Sequence, residues 1–396
     1  MNARISIHSL IAGTALMVTG LGQTAQAQTT TLTMSSWVPP AHYVVKDILQ
    51  PWMAEVEKAT EGRVKINLLP KAVGAPAQHW ELARKGVADI TWGNFTYEPD
   101  RFKALWFSEM PFIGTNAEAS SVALWETYEK YLAGKPAFEG VVMLGVGLFG
   151  GGQIHHGSKA IVEPDDLKNQ KVRMGGPIQK RLLEDLGAVA VAGPGPKAYE
   201  LLESGVVDAS LHTIESVINF RVEDKLKYHT IVPGGFYDAS FFIAINEGKW
   251  NKISEADRKA IMSVSGEKLS RLWGQRFDAQ NKAGEAKLRA EGEDAEVESI
   301  DIYQFTKAIR TVIPIEDRIA IVEAPPLARS LYRQAQVDQE IPVKLYAAVA
   351  QVLSYVYQLR AWAPGRGPMP SLAELDAVPL PTRLRNGAAR LLQPYL

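Results

Sequence analysis

There is no cysteine anywhere in the 396 residues. That excludes disulfides, a thiolate nucleophile, a cysteine-based zinc site and a lipid-anchored N-terminal cysteine. Neither sign of charge is in excess. Lys and Arg number 43 against 44 Asp and Glu, for a net charge of -1, so there is no basic footprint for a nucleic-acid partner. Seven histidines are present, but none stands at metal-ligand spacing from another. His155 and His156 are adjacent and read as surface or edge residues of a strand, where neighbours point to opposite faces. G-x-S-x-G, P-loop and dinucleotide glycine patterns are all missing. The "GPGP" at 193–196 is a rigid loop rather than a phosphate cradle. No catalytic residue, cofactor or metal follows, and the reading is of a binding protein, not an enzyme. Beyond the N-terminus no apolar run is long enough to cross a bilayer, so the expectation is a protein not inserted in a membrane.

What is present is an ordinary globular composition, 46% hydrophobic and 22% charged. The length allows two core-bearing lobes and something more. The first 27 residues have the grammar of an export signal. Arg4 supplies the positive start, Leu10 to Leu21 the apolar run, and "AQA" at 25–27 the small-residue end. The expected mature chain begins near Gln28 and lies in the periplasm.

Strands then alternate with helices, which predicts an α/β sheet. "TTLTMSSW", "GRVKINLLP" and "VADITWG" read as strands; Tyr43 to Thr60 and "AQHWELARKG" read as helices. The segments "ELARKGVADI" (81–90) and "ELLESGVVDA" (200–209) share Glu, Leu, Gly, Val and Asp in register, which suggests two lobes on one plan. Lobe I is expected over 28–150 with 239–278, and lobe II over 151–238 with 279–313. The crossings are "GGGQ" at 150–153 and the strand "ASFFIAIN" at 239–246. A long helix, capped by Ser254 with Asp257 three residues on, runs to about Ala290 across both lobes. Gly266, Gly274 and Gly284 are its points of bending or close packing.

Between those lobes lies the expected cleft, the usual place for a small ligand. In "QKVRMGGP" (170–177) an arginine ends an apolar strand just before a helix opened by Pro177 and closed by Gly187. The forked guanidinium of Arg173 suits a carboxylate, and the helix N-terminus beside it favours an anion. Spacing alone leaves a surface ion pair equally open. The aromatics Trp37, Trp92, Phe95, Phe236 and Tyr237 sit at strand ends, where they form either core or ligand wall.

At this point the chain resembles the periplasmic solute-binding subunits of tripartite ATP-independent (TRAP) transporters. The ordered motifs are "WMAEVEKATEGRVKINLLP", "ARKGVADITWG", "EMPF", "DDLKNQKVRMGG", "LLESGVVDA" and "INEGKWNKISEADRKAI", over about 28–310. The resemblance implies the two-lobe periplasmic-binding-protein fold, a strand hinge, and a TRAP membrane permease as partner. It implies that Arg173 salt-bridges the substrate carboxylate. Members that bind sialic acid carry a second arginine 20 residues earlier, where this chain has Gln153, and an asparagine where it has His212. First-lobe contacts of the family match Ser36, Trp37, Asn94 and Phe95. These departures suit a smaller organic acid with an apolar or aromatic body. Asn169 replaces a family glycine and is expected to keep a left-handed turn.

From about 314 the sequence changes character. "IVEAPPLARSLYR" and "IPVKLYAAVAQVLSYVYQLRAW" resemble the carboxyl end of flagellar and type III export switch proteins, without their Asn-Pro-Thr-His cleavage motif. The rival functional reading is therefore an interaction protein of an export apparatus, acting through this tail. A fusion, deletion or assembly error explains the discordant join more simply.

Overall fold

The computed structural model describes residues 29–113 and 116–290, together with the strand backbone of 296–299. The expected signal and the tail beyond 314 lie outside the described residues.

Among the described residues, eleven strands form two sheets. They are β1 (Thr30–Ser35), β2 (Val64–Leu68), β3 (Ile90–Asn94), β4 (Val141–Leu148), β5 (Gln153–His156), β6 (Lys171–Met174), β7 (Val189–Ala192), β8 (Ala209–His212), β9 (Tyr228–Ile231), β10 (Ser240–Asn246) and β11 (Glu296–Ser299). The first sheet runs β2-β1-β3-β10-β4 and the second β11-β9-β5-β8-β6-β7. In the first, β1 lies parallel to β2 and β3, and β10 enters antiparallel between β3 and β4. In the second, β6 lies parallel to β7 and β8, and β5 enters antiparallel between β8 and β9. Each sheet thus takes one antiparallel strand that the chain delivers after crossing over. This is a two-lobe α/β fold with strand crossings.

The repeated motif occupies equivalent places. The glycine stop of α2 (His79–Arg84) leads into β3, and that of α5 (Ala198–Glu203) leads into β8. Asp89 accepts the Thr33 N–H at 2.8 Å, and Asp208 accepts the Lys171 N–H at 3.0 Å. Both aspartates therefore pin the neighbouring parallel strand, Asp89 within β1 and Asp208 at the first residue of β6, each accepting a backbone N–H.

The remaining helices are α1 (Gln50–Ala59), α3 (Ala117–Thr127), α4 (Pro177–Asp185), α6 (Ile214–Asn219), α7 (Glu247–Trp250), α8 (Glu255–Ser263) and α9 (Glu267–Ala290). The long helical segment after Ser254 is present, with the expected cap: Ser254 Oγ accepts the Asp257 N–H at 3.1 Å. It is broken once, at 264–266, where Gly266 takes a φ of 61°. Gly274 is a packing glycine: any Cβ there would overlap the backbone of Ala117 and Glu118. α9 packs on β4 and α3 in one lobe and on α6 and β11 in the other. Asn169 does hold the left-handed turn, with φ 63°.

The first lobe is built around Trp80. Its indole meets Phe102 at 4.8 Å and Phe242 at 5.0 Å, both edge to face, the geometry ring quadrupoles favour. The second lobe has a smaller core of Ala198, Ile214, Val217, Val222, Leu226 and Leu288.

The histidine pair corrects the sequence expectation. His155 and His156 are both buried, because β5 lies inside the second sheet rather than at its edge. His155 Nδ1 lies 2.8 Å from His229 Nδ1, and its Nε2 lies 3.1 Å from the His212 carbonyl. His156 Nε2 contacts Gln170 Oε1 at 2.9 Å. Among the described residues no group of His, Asp or Glu is arranged to hold a metal, and no helix is long and apolar enough to cross a membrane.

Candidate functional site

Arg173 stands at the end of β6, 4% exposed. Its Nε donates to the Gly193 carbonyl at 2.8 Å and its Nη1 to the Leu211 carbonyl at 2.6 Å. Those two carbonyls, from the "GPGP" loop and from β8, fix the plane of the guanidinium. They leave three of its five N–H groups, and no carboxylate pairs with it among the described residues. Burial pulls its pKa down, and the neighbouring hydroxyls of Tyr97 and Tyr237 oppose that pull. A guanidinium remains charged under such conditions. The side chain is therefore a buried, oriented cation beside a cleft.

The cleft is lined from both lobes and holds about 580 Å³ of space counted to its open mouth. Trp37, Trp92 and Asn94 come from the first-lobe strands; Arg173, His212 and Tyr237 come from the second lobe and the return crossing. Trp37 and Trp92 lie 4.5 Å apart with planes at 31°. Phe220, Phe241 and Phe277 complete an aromatic wall. Tyr97 joins the lobes directly, its hydroxyl accepting the Gly195 N–H at 3.2 Å. Asn94 gives its amide oxygen to the Thr96 N–H at 2.8 Å, and its NH2 makes no hydrogen bond among the described residues.

Six of the ten expected positions thus converge on the cleft. The other four stand behind its wall. Ser36 accepts the Trp92 indole N–H at 3.0 Å and so orients that ring. Phe95 packs among Trp80, Phe102 and Phe242. Gln153 Oε1 accepts the Val232 N–H at 2.7 Å, which commits it to the fold. Phe236 is fully buried. The place beside the N-terminus of α4 is taken by a side chain of the protein itself, the Glu109 carboxyl.

Burial disfavours the charged form of the imidazoles near the site. Burial, then Arg173, pushes His212 well below its usual value. Burial alone lowers His42 to about 4. Glu215 is buried at the opposite wall and accepts hydroxyl donors from Thr213 at 2.8 Å and Ser216 at 2.6 Å, and the Asn219 amide at 3.0 Å. Burial still raises its pKa. The net result is one fixed positive centre, flanked by tyrosine hydroxyls, in an aromatic chamber. Tyr97, His42, Tyr43, Glu215 and Phe277 were not singled out as site residues in the sequence. Only Tyr97, inside the aromatic run 92–97, carried a local signal.

Residues 34–317 match the model of the bacterial extracellular solute-binding protein family 7. The chain belongs to that family. Residues 304–356 match a second model, the FlhB HrpN YscU SpaS family. Among its relatives, the outer membrane transporter protein TsaT of Comamonas testosteroni is 32% identical over 270 residues, 68% of this chain and 80% of its own. A TRAP periplasmic solute-binding protein of Bordetella bronchiseptica, solved with bound (R)- and (S)-mandelate, is 36% identical. It superposes with a TM-score of 0.67 over 70% of this chain and 89% of its own. A marine-metagenome TRAP solute-binding protein solved with 3-hydroxybenzoate is 28% identical, with a TM-score of 0.67 over 71% and 89%. Family 7 proteins are TRAP solute-binding receptors rather than enzymes, and this chain has their two-lobe fold.

Proposed function

We propose that this chain captures a small organic acid with an aromatic or similarly apolar body, closes its lobes on it, and delivers it to a TRAP membrane permease. The observation that carries the reading is Arg173: a buried cation, held in place by two backbone carbonyls, beside a chamber walled by Trp37, Trp92 and Phe241. In this reading the ligand's carboxylate takes the remaining guanidinium N–H groups and the Tyr97 and Tyr237 hydroxyls. Its body lies against the tryptophans, and Asn94 or His212 meets a polar substituent. The acids bound by the Bordetella and metagenome relatives, mandelate and 3-hydroxybenzoate, are aromatic carboxylates, and that supports the reading. Low local dielectric strengthens the ion pair as water leaves.

The same reading places residues 1–27 as a cleaved export signal and the mature protein in the periplasm. Lobe I then comprises 28–150 with 239–278, and lobe II comprises 151–238 with 279–313. Residues 314–396 stand outside the receptor, and a peptide map of the native protein decides whether they are retained. A periplasmic destination is incompatible with the rival reading as a cytoplasmic export partner.

The test is titration calorimetry with benzoate, 3-hydroxybenzoate and mandelate, beside acetate, succinate and neutral benzyl alcohol, with mass spectrometry of any copurified molecule. Binding confined to the aromatic acids is expected. Equal binding of benzyl alcohol and benzoate, or of no acid at all, overturns the proposal.

A further inference from the structure

Glu109 ends the short helical segment Lys103–Glu109 of the first lobe, yet its carboxyl is 3% exposed and lies against the second lobe. There it meets the start of α4. Gly176, the residue capping that helix, is so close that any Cβ would overlap Glu109 Oε2, and the same Cβ would stand 3.1 Å from Thr96 Cβ. α4 has no side-chain cap of its own and no acidic residue in its first turn. The backbone N–H of Ile178, in that turn, faces the Glu109 carboxyl. The N-terminus of this nine-residue helix therefore lies against a carboxyl contributed by the first lobe.

The surroundings of this carboxyl are incomplete for an anion. Oε2 has no hydrogen-bond partner although it is fully buried. Among the described residues, no cation forms an ion pair with it. On α4, Lys180 pairs with Glu184 at 2.6 Å and Arg181 with Asp185 at 3.0 Å. Arg173 and Tyr97 make neither an ion pair nor a hydrogen bond with it, Arg173 being spent on Gly193 and Leu211 and Tyr97 on Gly195. Asp238, the remaining nearby titratable group, meets Glu109 through backbone only, its N–H reaching the Glu109 carbonyl at 3.4 Å. One helix N–H and the partial positive charge of the helix end are the whole of the compensation. A carboxylate taken from water into such a place is costly unless it is neutralised.

We propose that Glu109 is a positioning residue, a latch between the lobes that docks on the N-terminus of α4 only in the closed form and takes up a proton as it does so. Opening returns the carboxyl to water, where it ionises in the usual range near pH 4.3. Closure removes it from water, and burial then raises its pKa well above that range. Protons therefore favour the closed form, and that advantage is lost as pH rises through the closed-form value. The direction opposes that of His42 and His212, which open water would charge in acid. The latch sets Gly175 and Gly176, and with them the floor beside Arg173, so ligand retention would weaken as pH rises.

The latch deepens the receptor reading but is tested without a ligand. Because the chain contains no cysteine, Tyr131→Cys and Val189→Cys give one spin label on each lobe, both positions being half exposed. Electron–electron double resonance then reads the closed fraction between pH 5 and 8. The wild type should show a closed-to-open ratio falling by up to about tenfold per pH unit within the window. E109Q, a permanently neutral amide, should lack that component, and E109A should be more open at pH 5. The histidine contribution is common to all three and cancels in the comparison. Equal pH dependence in wild type and E109Q overturns the proposal, whatever the acid panel shows. Failure of the acid panel alone overturns the ligand reading and leaves the latch standing.

Discussion

The Arg173 Nη1 donates to the Leu211 carbonyl at 2.6 Å. That bond ties the guanidinium to the interior of the second sheet, so in the proposed function the charge is oriented before any acid arrives. Preorganisation of this kind lowers the entropy lost on binding.

Arg173→Ala should abolish acid binding in calorimetry. Truncating one partner of a buried charge pair costs about 3–5 kcal/mol. Arg173→Lys keeps the charge but loses the fork that holds Gly193 and Leu211, and it should also bind weakly. Near-wild-type affinity in the lysine variant would show that charge alone, and not the oriented guanidinium, is used.

Asp238 sits at the return crossing, buried, with Oδ1 accepting the Phe149 N–H at 3.2 Å and the Ala239 N–H at 2.8 Å. Its Oδ2 has no partner, and burial lifts its pKa to about 7. A carboxyl raised in the folded state contributes stability in acid and loses it as pH rises through the folded value. Asp238→Asn should therefore flatten the fall in stability between about pH 4 and pH 7, a loss of order a few kcal/mol. Urea midpoints of wild type and variant that run parallel across that window would contradict this.

His155 and His229 should titrate in neither neutral nor mildly acidic solution. Burial, then each other's proximity, holds His155 well below its usual value, and burial lowers His229 to about 4. Histidines depressed in the folded state stabilise above pH 6.5, and that contribution fades as pH falls towards 4. Proton–carbon NMR of the imidazoles checks it. A midpoint near 6.5 for either ring would contradict the packing.

Gly274→Ala should lower stability by about 1–3 kcal/mol, the usual range for overpacking. Its new methyl meets backbone at Ala117 and Glu118, which cannot rotate away. Differential scanning calorimetry reads the change, and an unchanged melting temperature would show that α3 and α9 can separate at no cost.

Much of this fold is written locally. The two helix–glycine–strand repeats carry aspartates that pin parallel strands in both sheets, and the matching letters reflect that shared task. Arg173 stood out at the end of an apolar strand, but spacing left a surface ion pair equally open and only the motif resemblance singled it out. His155 was not legible: whether a strand is central or at an edge depends on strands far away in sequence, here β8 and β9. The Gln153 hydrogen bond was illegible for a similar reason, since its partner Val232 is 79 positions distant. Glu109 lay unnoticed within "EMPF" because its meaning comes only from the helix it meets across the cleft.

Two residues of α9 deserve to be seen together. Asp278 receives the Ala117 N–H at 2.8 Å and the Glu118 N–H at 3.1 Å, at the head of α3. Asn281, one turn on, receives the Glu215 N–H at 3.3 Å and donates to the Phe149 carbonyl at 2.8 Å. One short span of a single helix thus grips both halves of the molecule and the chain that passes between them. Four hydrogen bonds within four residues of α9 make this the joint where a change in either half would first be felt by the other.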